Sequence, residues 1–355
     1  MARSVLLIAS LLIGGAFFHA EAAEAPHGVV LLYHHVSDDT PASTSLTPEQ
    51  FSDHLDFLDQ HDYRVWALGR LLDAVVRGAE VVPENVVAIT FDDAYESVFT
   101  EARPRLAERG WPYTVFVNTD AIDAGHAPYM SWDQIRSLHE AGVAIENHSA
   151  AHGHMSRPAR SESLRAWRSR VAEDIARARS RIEAETGRAP TLFAYPYGED
   201  SDALAEIVAP GHAYALAQRS GAVGTLSDPL SIPRFPMATG FASLERLELA
   251  VRSRPLPVTE IETTGVEYGL EGDIRAIDLA LDGQGFRIGQ LNCFAASGRR
   301  LDAEVDGDNP FHISVNVEDV GKPGRNKINC TAPAADDSGD FFWHSVQWLV
   351  SRPAG

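Results

Sequence analysis

The stretch Val86-Val87-Ala88-Ile89-Thr90-Phe91-Asp92-Asp93-Ala94-Tyr95 decides how this chain is read. Its apolar start is short for a helix and β-branched enough for a buried strand. It ends on two adjacent carboxylates, which are costly after a buried strand unless something binds them. Adjacent strand residues point to opposite faces, so a bend after Phe91 is needed for both to reach one site. The plain alternative is a polar strand-to-helix turn in which one Asp caps the next helix.

A second short strand, Val143-Ala144-Ile145-Glu146, runs into Asn147-His148-Ser149-Ala150-Ala151-His152. Two histidines four apart lie on one face of a helical turn, so both imidazoles are expected to meet one ion. With one carboxylate they suit zinc or a similar divalent transition metal, leaving coordination positions for water. The alternatives are two solvated loop side chains, or His154 in place of the second ligand.

Thr90-Phe91-Asp92-Asp93 and His148-Ser149-Ala150-Ala151-His152 resemble the first two motifs of the polysaccharide deacetylases, the NodB-homology family. A third motif, Phe193-Ala194-Tyr195-Pro196-Tyr197-Gly198, follows in order, and the resemblance covers about residues 28–250. It implies a distorted (β/α) barrel of about seven strands. It also implies a metal-dependent hydrolase that takes N-acetyl groups from an N-acetylglucosamine-containing polysaccharide, an exopolysaccharide or cell-wall glycan, and releases acetate. Asp92 would be the general base; Asp93, His148 and His152 would hold the metal, expected to be Zn2+ with Co2+ or Ni2+ as alternatives. The backbone N–H of Tyr197 would complete the oxyanion hole, and Tyr195, Pro196, Tyr197 and His34 would meet the substrate.

The departures from the pattern are informative. Many relatives carry Arg two residues before the Pro of the third motif; here that position is Ala194. Arg234, in Ile232-Pro233-Arg234-Phe235, is expected to reach the same place. No Leu-x-His motif follows residue 200, so the general acid is open among His34, His35 and His212. The third motif and Tyr33-His34 are similar to the poly-β-1,6-N-acetylglucosamine deacetylase-like branch, where the usual acid is often missing. An O-acetyl esterase on the same fold remains a competing reading. So does a non-catalytic glycan-binding protein, against which the intact Asp92, Asp93, His148 and His152 argue. No Gly-rich phosphate loop follows a strand, which disfavours a nucleotide-binding domain.

The remainder of the 355 residues agrees with an exported enzyme. A net charge of −20 argues against a nucleic-acid partner. It serves solubility, or attraction for the cationic polymer that deacetylation produces. Residues 1–23 read as a signal peptide: Arg3, an apolar stretch from Val5 to Phe18, and Ala20-Glu21-Ala22 as a small-x-small cleavage site. No later apolar run is long enough for a membrane span. The protein is therefore expected in the periplasm or outside the cell. Cys293 and Cys330, the only two cysteines, are expected to form a disulfide there; two buried free thiols are the alternative.

Residues 24–254 alternate strand and helix patterns, which predicts parallel strands covered by helices. Thr47-Pro48-Glu49-Gln50 and Ser131-Trp132-Asp133-Gln134 start helices. Leu164, Trp167, Val171, Ile175, Ala178 and Ile182 give the longest helix one inward face, with Arg and Glu on a solvated face opposite. Beyond Pro255 the spacing changes to alternation, in Ile277-Leu279-Leu281 and Phe311-Ile313-Val315-Val317. Residues 255–355 are therefore expected to form a small accessory β-sandwich. Its Trp343 and Trp348 suit either a core or a sugar-stacking surface.

Overall fold

In the computed structural model, residues 25–156, 158–159, 161–264 and 274–350 are described; the expected signal peptide lies outside them. Six parallel strands pair in chain order: β1 (His27–Tyr33), β2 (Val86–Phe91), β3 (Thr114–Val117), β4 (Ala144–Asn147), β5 (Leu192–Ala194) and β6 (Tyr214–Leu216). Val223–Gly224 adds an antiparallel edge to β1. The segment after β6 then brings the two ends of this curled sheet together. Ile232 bridges to Leu216 of β6, and Phe235 and Pro236 run parallel to Leu31 and Leu32 of β1. Helices connect the strands on the outside, the arrangement that parallel pairing requires.

Alternation along the strands sorts the core into two apolar regions. Val29, Leu31, Val87, Ile89 and Val115 face the helices that carry Phe51, Leu55, Ile135 and Leu138. Val30, Ala88, Phe116, Ala194 and Leu216 gather in a second cluster with Ile232 and with Leu71 and Leu72 of the helix Leu68–Arg77. The predicted helix starts form as reciprocal capping boxes, Thr47 with Gln50 and Ser131 with Gln134. Gly78 ends the helix Leu68–Arg77 in the left-handed region, at φ 66°.

The longest helix, Leu164–Thr186, buries Trp167, Val171, Ile175, Ala178 and Ile182 as its spacing predicts. Leu164, expected on that face, is 71% exposed. It occupies the first helical position, ahead of the packed stripe. The opposite face is more than solvated. Arg177 reaches Asp120 at 2.7 Å and Arg181 reaches Asp123 at 2.9 Å, tying the helix to the short helix Thr119–Asp123 after β3.

Beyond residue 252 two four-stranded sheets pack together. One runs Val258–Thr264, Ala276–Leu281, Phe311–Asn316, Ala303–Asp306. The other runs Ser253–Pro255, β8 (Phe341–Val350), β7 (Gly324–Pro333), Asn292–Ala295. Ile277, Leu279, Leu281, Ile313 and Val315 of the first meet Ile328, Cys330, Val346 and Trp348 of the second in one apolar core. Trp348 is fully buried there, and Trp343 lies edge-on to Phe235 at 5.5 Å. Both are packing residues and present no stacking surface to solvent. Cys293 and Cys330 face each other across neighbouring strands and are disulfide-bonded. Among the described residues no helix is long and apolar enough to cross a membrane.

The disulfide closes a loop across a sequence separation of 37. Replacing both cysteines with Ser is expected to lower stability by about 3–4 kcal/mol in the chain-entropy description, measured by urea unfolding as a lower midpoint, with a slope that does not fall because the unfolded chain is less constrained.

Candidate active site

The two carboxylates reach one site because the chain bends where the strand reading requires it. Asp93 and Ala94 both adopt positive φ, 72° and 58°. Non-glycine residues held there cost of order 1–3 kcal/mol each and persist where the surroundings impose them. After the bend Asp92 and Asp93 are both buried, yet they face different partners.

Asp92 faces Arg234. The guanidinium Nη1 and Nη2 donate to the two carboxylate oxygens at 2.7 and 2.8 Å, a bidentate pair with Arg234 fully buried. Arg234 Nε donates to the Ala217 carbonyl at 2.9 Å, and the guanidinium lies over the Phe116 ring at 5.5 Å. The barrel-closing segment delivers this side chain, which is why it lands beside β2 although it is remote in sequence. Burial disfavours the charged form of Asp92, but Arg234 and then His148 more than offset it and hold the carboxyl below its usual range.

Asp93 faces the imidazoles. Its Oδ1 is 3.1 Å from His152 Nε2 and 3.5 Å from His148 Nε2, and the three ligand atoms lie within 4.8 Å of one another. His148 Nδ1 donates to the Ala194 carbonyl at 2.8 Å, so its Nε2 carries a lone pair. Burial pushes this imidazole down to about 4, and it is neutral at neutral pH. A lone pair and a buried carboxylate oxygen that accepts no well-formed hydrogen bond therefore converge on one point. That donor set fits a divalent cation, and the His148 bond to a backbone carbonyl is the outer-shell support such ligands use. Burial acts against a proton on His152, but Asp93 outweighs it and raises its pKa.

The histidines do not meet by the predicted route. No helical turn joins them. Ser149 and His152 are both left-handed, at φ 67° and 51°, so the segment is a folded loop. Asn147 Oδ1 accepts from the Ser149 N–H at 2.9 Å, and Ser149 Oγ accepts from the His152 N–H at 3.0 Å. Asp174 of the long helix accepts from the N–H groups of Ala150 and Ala151, both at 3.1 Å. Sequence reasoning missed Asp174. The available signal was an Asp beside Ile175 of the buried stripe. His154, the competing ligand, turns away to Glu199 at 3.0 Å and stacks on Tyr197 at 4.2 Å.

The third motif divides. Tyr197 presents its ring, 43% exposed and 4.7 Å from His152. Tyr195 and Pro196 correct the expectation of substrate contact. Both are buried, and the Tyr195 hydroxyl donates to the Leu230 carbonyl at 2.9 Å. They shape the loop from beneath. His34 is half-buried, its Nε2 3.5 Å from the Gln218 amide. The other two candidate acids lie in packing roles. His35 is buried and stacked on Tyr95 at 3.5 Å. His212 Nδ1 donates to Val208, and its Nε2 accepts from Asn147 at 3.1 Å, behind the ligand loop.

Comparison with known proteins places this geometry in company. Residues 79–212 match the family described as polysaccharide deacetylase. The chain is 22% identical over 301 residues to the poly-β-1,6-N-acetyl-D-glucosamine N-deacetylase of Escherichia coli K12, covering 72% of this chain and 44% of that protein. It is 24% identical to the protein of the same name from Staphylococcus aureus MRSA252, over 54% of this chain and 67% of the relative. The chain thus spans less than half the length of the first of these relatives. The fold is similar to IcaB from Ammonifex degensii, with TM-score 0.55 and 24% identity over 62% of this chain and 96% of that one. It is also similar to Streptococcus pyogenes deacetylase PplD in complex with acetate, with TM-score 0.57 and 18% identity over 64% and 99%.

The separation of the two carboxylates gives a direct test. Asp93→Ala and His148→Ala are expected to abolish tight binding of Zn2+ in equilibrium dialysis, while Asp92→Asn retains it. Arg234→Ala strands a buried carboxylate and is expected to cost about 3–5 kcal/mol of folding stability, read by urea denaturation.

Proposed function

We propose that this chain, whose residues 79–212 form a polysaccharide deacetylase domain, is a metal-dependent hydrolase. In this reading it removes N-acetyl groups from an N-acetylglucosamine-containing polysaccharide and releases acetate. The observation that carries it is the pairing of a buried, Arg-clamped Asp92 with a cation-ready Asp93, His148 and His152 under an exposed aromatic loop. Hydrolysis of an amide needs an activated water, a polarised carbonyl and a protonated leaving amine.

In this reading Asp93, His148 and His152 hold Zn2+, or Co2+ or Ni2+ in its place; such an ion polarises the acetyl carbonyl and makes water more acidic. Asp92 takes the proton from the attacking water. Arg234 keeps it ionised and fixes the direction of its free lone pairs. The Tyr197 N–H faces the developing oxyanion. The proton that Asp92 takes from water is the one the leaving nitrogen needs, and the same carboxyl can return it. No separate acid is then needed, which agrees with His35 and His212 being occupied in packing. Tyr197 and His34 line the approach for the sugar.

Residues 24–254 form the catalytic unit in this reading and residues 255–355 an accessory β unit, while residues 1–23 direct export to the periplasm or the cell exterior. A disulfide-bonded β unit supports an oxidising compartment. The partner is an N-acetylated polysaccharide. A net charge of −20 suits a product that gains positive charge with each acetyl group lost.

The test is acetate and free-amine release from N-acetylglucosamine oligomers by the mature protein, metal-stripped and zinc-loaded, with Asp92→Asn alongside. Zinc-dependent release of both products is expected, lost by at least about 100-fold in Asp92→Asn. Acetate without new amines, from an O-acetylated polymer only, would replace the reading with an esterase.

A further inference from the structure

The loop that carries Tyr197 is strained and needs holding. Tyr197 and Gly198 are consecutive left-handed residues, at φ 59° and 66°, and the tyrosine pays a steric cost there that glycine does not. Gly198 is pressed so closely on Gln218 that a Cβ would collide with that residue's backbone. From below, the loop is tied by Tyr195 N–H to the Leu216 carbonyl at 3.0 Å and by Gly198 N–H to the Tyr195 carbonyl at 2.7 Å. These bonds fix the start of the turn. They hold one edge of the Tyr197–Gly198 peptide through its N–H and leave its carbonyl, and that of Gly198, without a partner inside the loop.

Both carbonyls are met by the C-terminal sheet. Arg325 of β7 donates through Nη1 to the Tyr197 carbonyl and, at 3.2 Å, to Gln218 Oε1. Gln347 of β8 is buried and donates through Nε2 to the Gly198 carbonyl at 2.6 Å and to Asp200 Oδ1 at 2.8 Å. Asp200 is itself fixed by Arg219 at 2.8 Å and by Ser231. Two and four residues back along the same face of β8, Ser345 Oγ donates to the Ser220 carbonyl at 2.6 Å, and Trp343 packs on Phe235, the neighbour of Arg234. Side chains alternate along a strand, so Ile328, Cys330, Val346 and Trp348 fill the sandwich core while Arg325, Ser345 and Gln347 face the barrel. A sheet whose outer face is spent in this way is not a free sugar-binding surface.

We infer that Arg325 and Gln347 are positioning residues for catalysis: they clamp the carbonyls of Tyr197 and Gly198 and so aim the Tyr197 N–H at the reacting acetyl group. The Tyr197 N–H belongs to the Pro196–Tyr197 peptide, whose carbonyl accepts from the Glu199 N–H at 3.3 Å. Clamping the two peptides that follow holds ψ of Tyr197 and the torsions of Gly198, so the turn that carries this N–H cannot unwind. The C-terminal β unit is then a structural part of the catalytic loop. The inference rests on the reading of the Tyr197 N–H as an oxyanion donor.

The test uses the full-length zinc-loaded protein with Arg325→Ala, Arg325→Lys and Gln347→Leu. Two readouts are taken: kinetics on N-acetylglucosamine oligomers, and hydrogen exchange across residues 195–200 without substrate. Misaiming one donor is expected to lower kcat roughly tenfold or more in Gln347→Leu and several-fold in Arg325→Ala. KM should stay within about twofold, zinc binding should be unchanged, and exchange in the loop should quicken. Arg325→Lys should recover part of kcat, because an ammonium still donates to the Tyr197 carbonyl. Arg325 is exposed, so its variants report even if Gln347→Leu folds poorly. Unchanged exchange in Arg325→Ala and Gln347→Leu would overturn the inference, as would an intact kcat with a raised KM, which would make the sheet a sugar-contact surface. If the wild type releases no acetate from any oligomer, the deacetylase reading fails, and the exchange data still decide whether the clamp exists.

Discussion

The bidentate pair of Arg234 and Asp92 is the constraint around which the rest is arranged. Both groups are out of water, and a buried ion pair recovers its desolvation cost only with excellent geometry and further hydrogen bonds. Both conditions are met: two short parallel bonds, a third from Nε to Ala217, and the Phe116 ring as a floor. Such a pair adds little net stability over an apolar substitute, so its value lies in what it specifies. It fixes the direction of one carboxylate and keeps that carboxylate ionised. It also locks the barrel-closing segment to β2.

Two adjacent residues of one chemical type thereby receive opposite treatment. Asp92 is answered by a permanent cation from the protein. Asp93 is answered by two imidazoles, one of which is neutral and presents a lone pair, a donor set that could hold a metal ion. The left-handed bend at Asp93 and Ala94 makes this division possible. In a regular strand the two side chains would point apart and share no site. Backbone strain at this position is therefore part of the chemistry.

Much of this was legible in the sequence, and what was not follows a pattern. Strands, capping boxes and the inward stripe of the long helix are local signals, and Thr47, Ser131, Val171 and Ile175 behave as their spacing predicts. Arg234 was legible because Ala194 left a gap that some cation had to fill. The route by which His148 and His152 meet was misread. A separation of four fits a helical turn, and nothing marks Ser149 and His152 as left-handed when neither is glycine. Tyr195 was misread because an aromatic in a motif looks exposed until its hydroxyl is found on Leu230. Arg325 and Gln347 act across 128 and 149 residues of sequence, and no local pattern carries that information.

The segment Ile232–Pro236 closes the sheet and delivers the guanidinium in one movement. The Arg234–Asp92 contact joins residues 142 apart, so it belongs to the slow, non-local part of folding. In the folded chain the same segment supplies the strand pairing to β1 and the only guanidinium bonded to Asp92 among the described residues. Closure and charge compensation are one event. A change in residues 232–236 that loosens the segment would therefore open a strand edge of β1 and strip Asp92 of its counter-charge together.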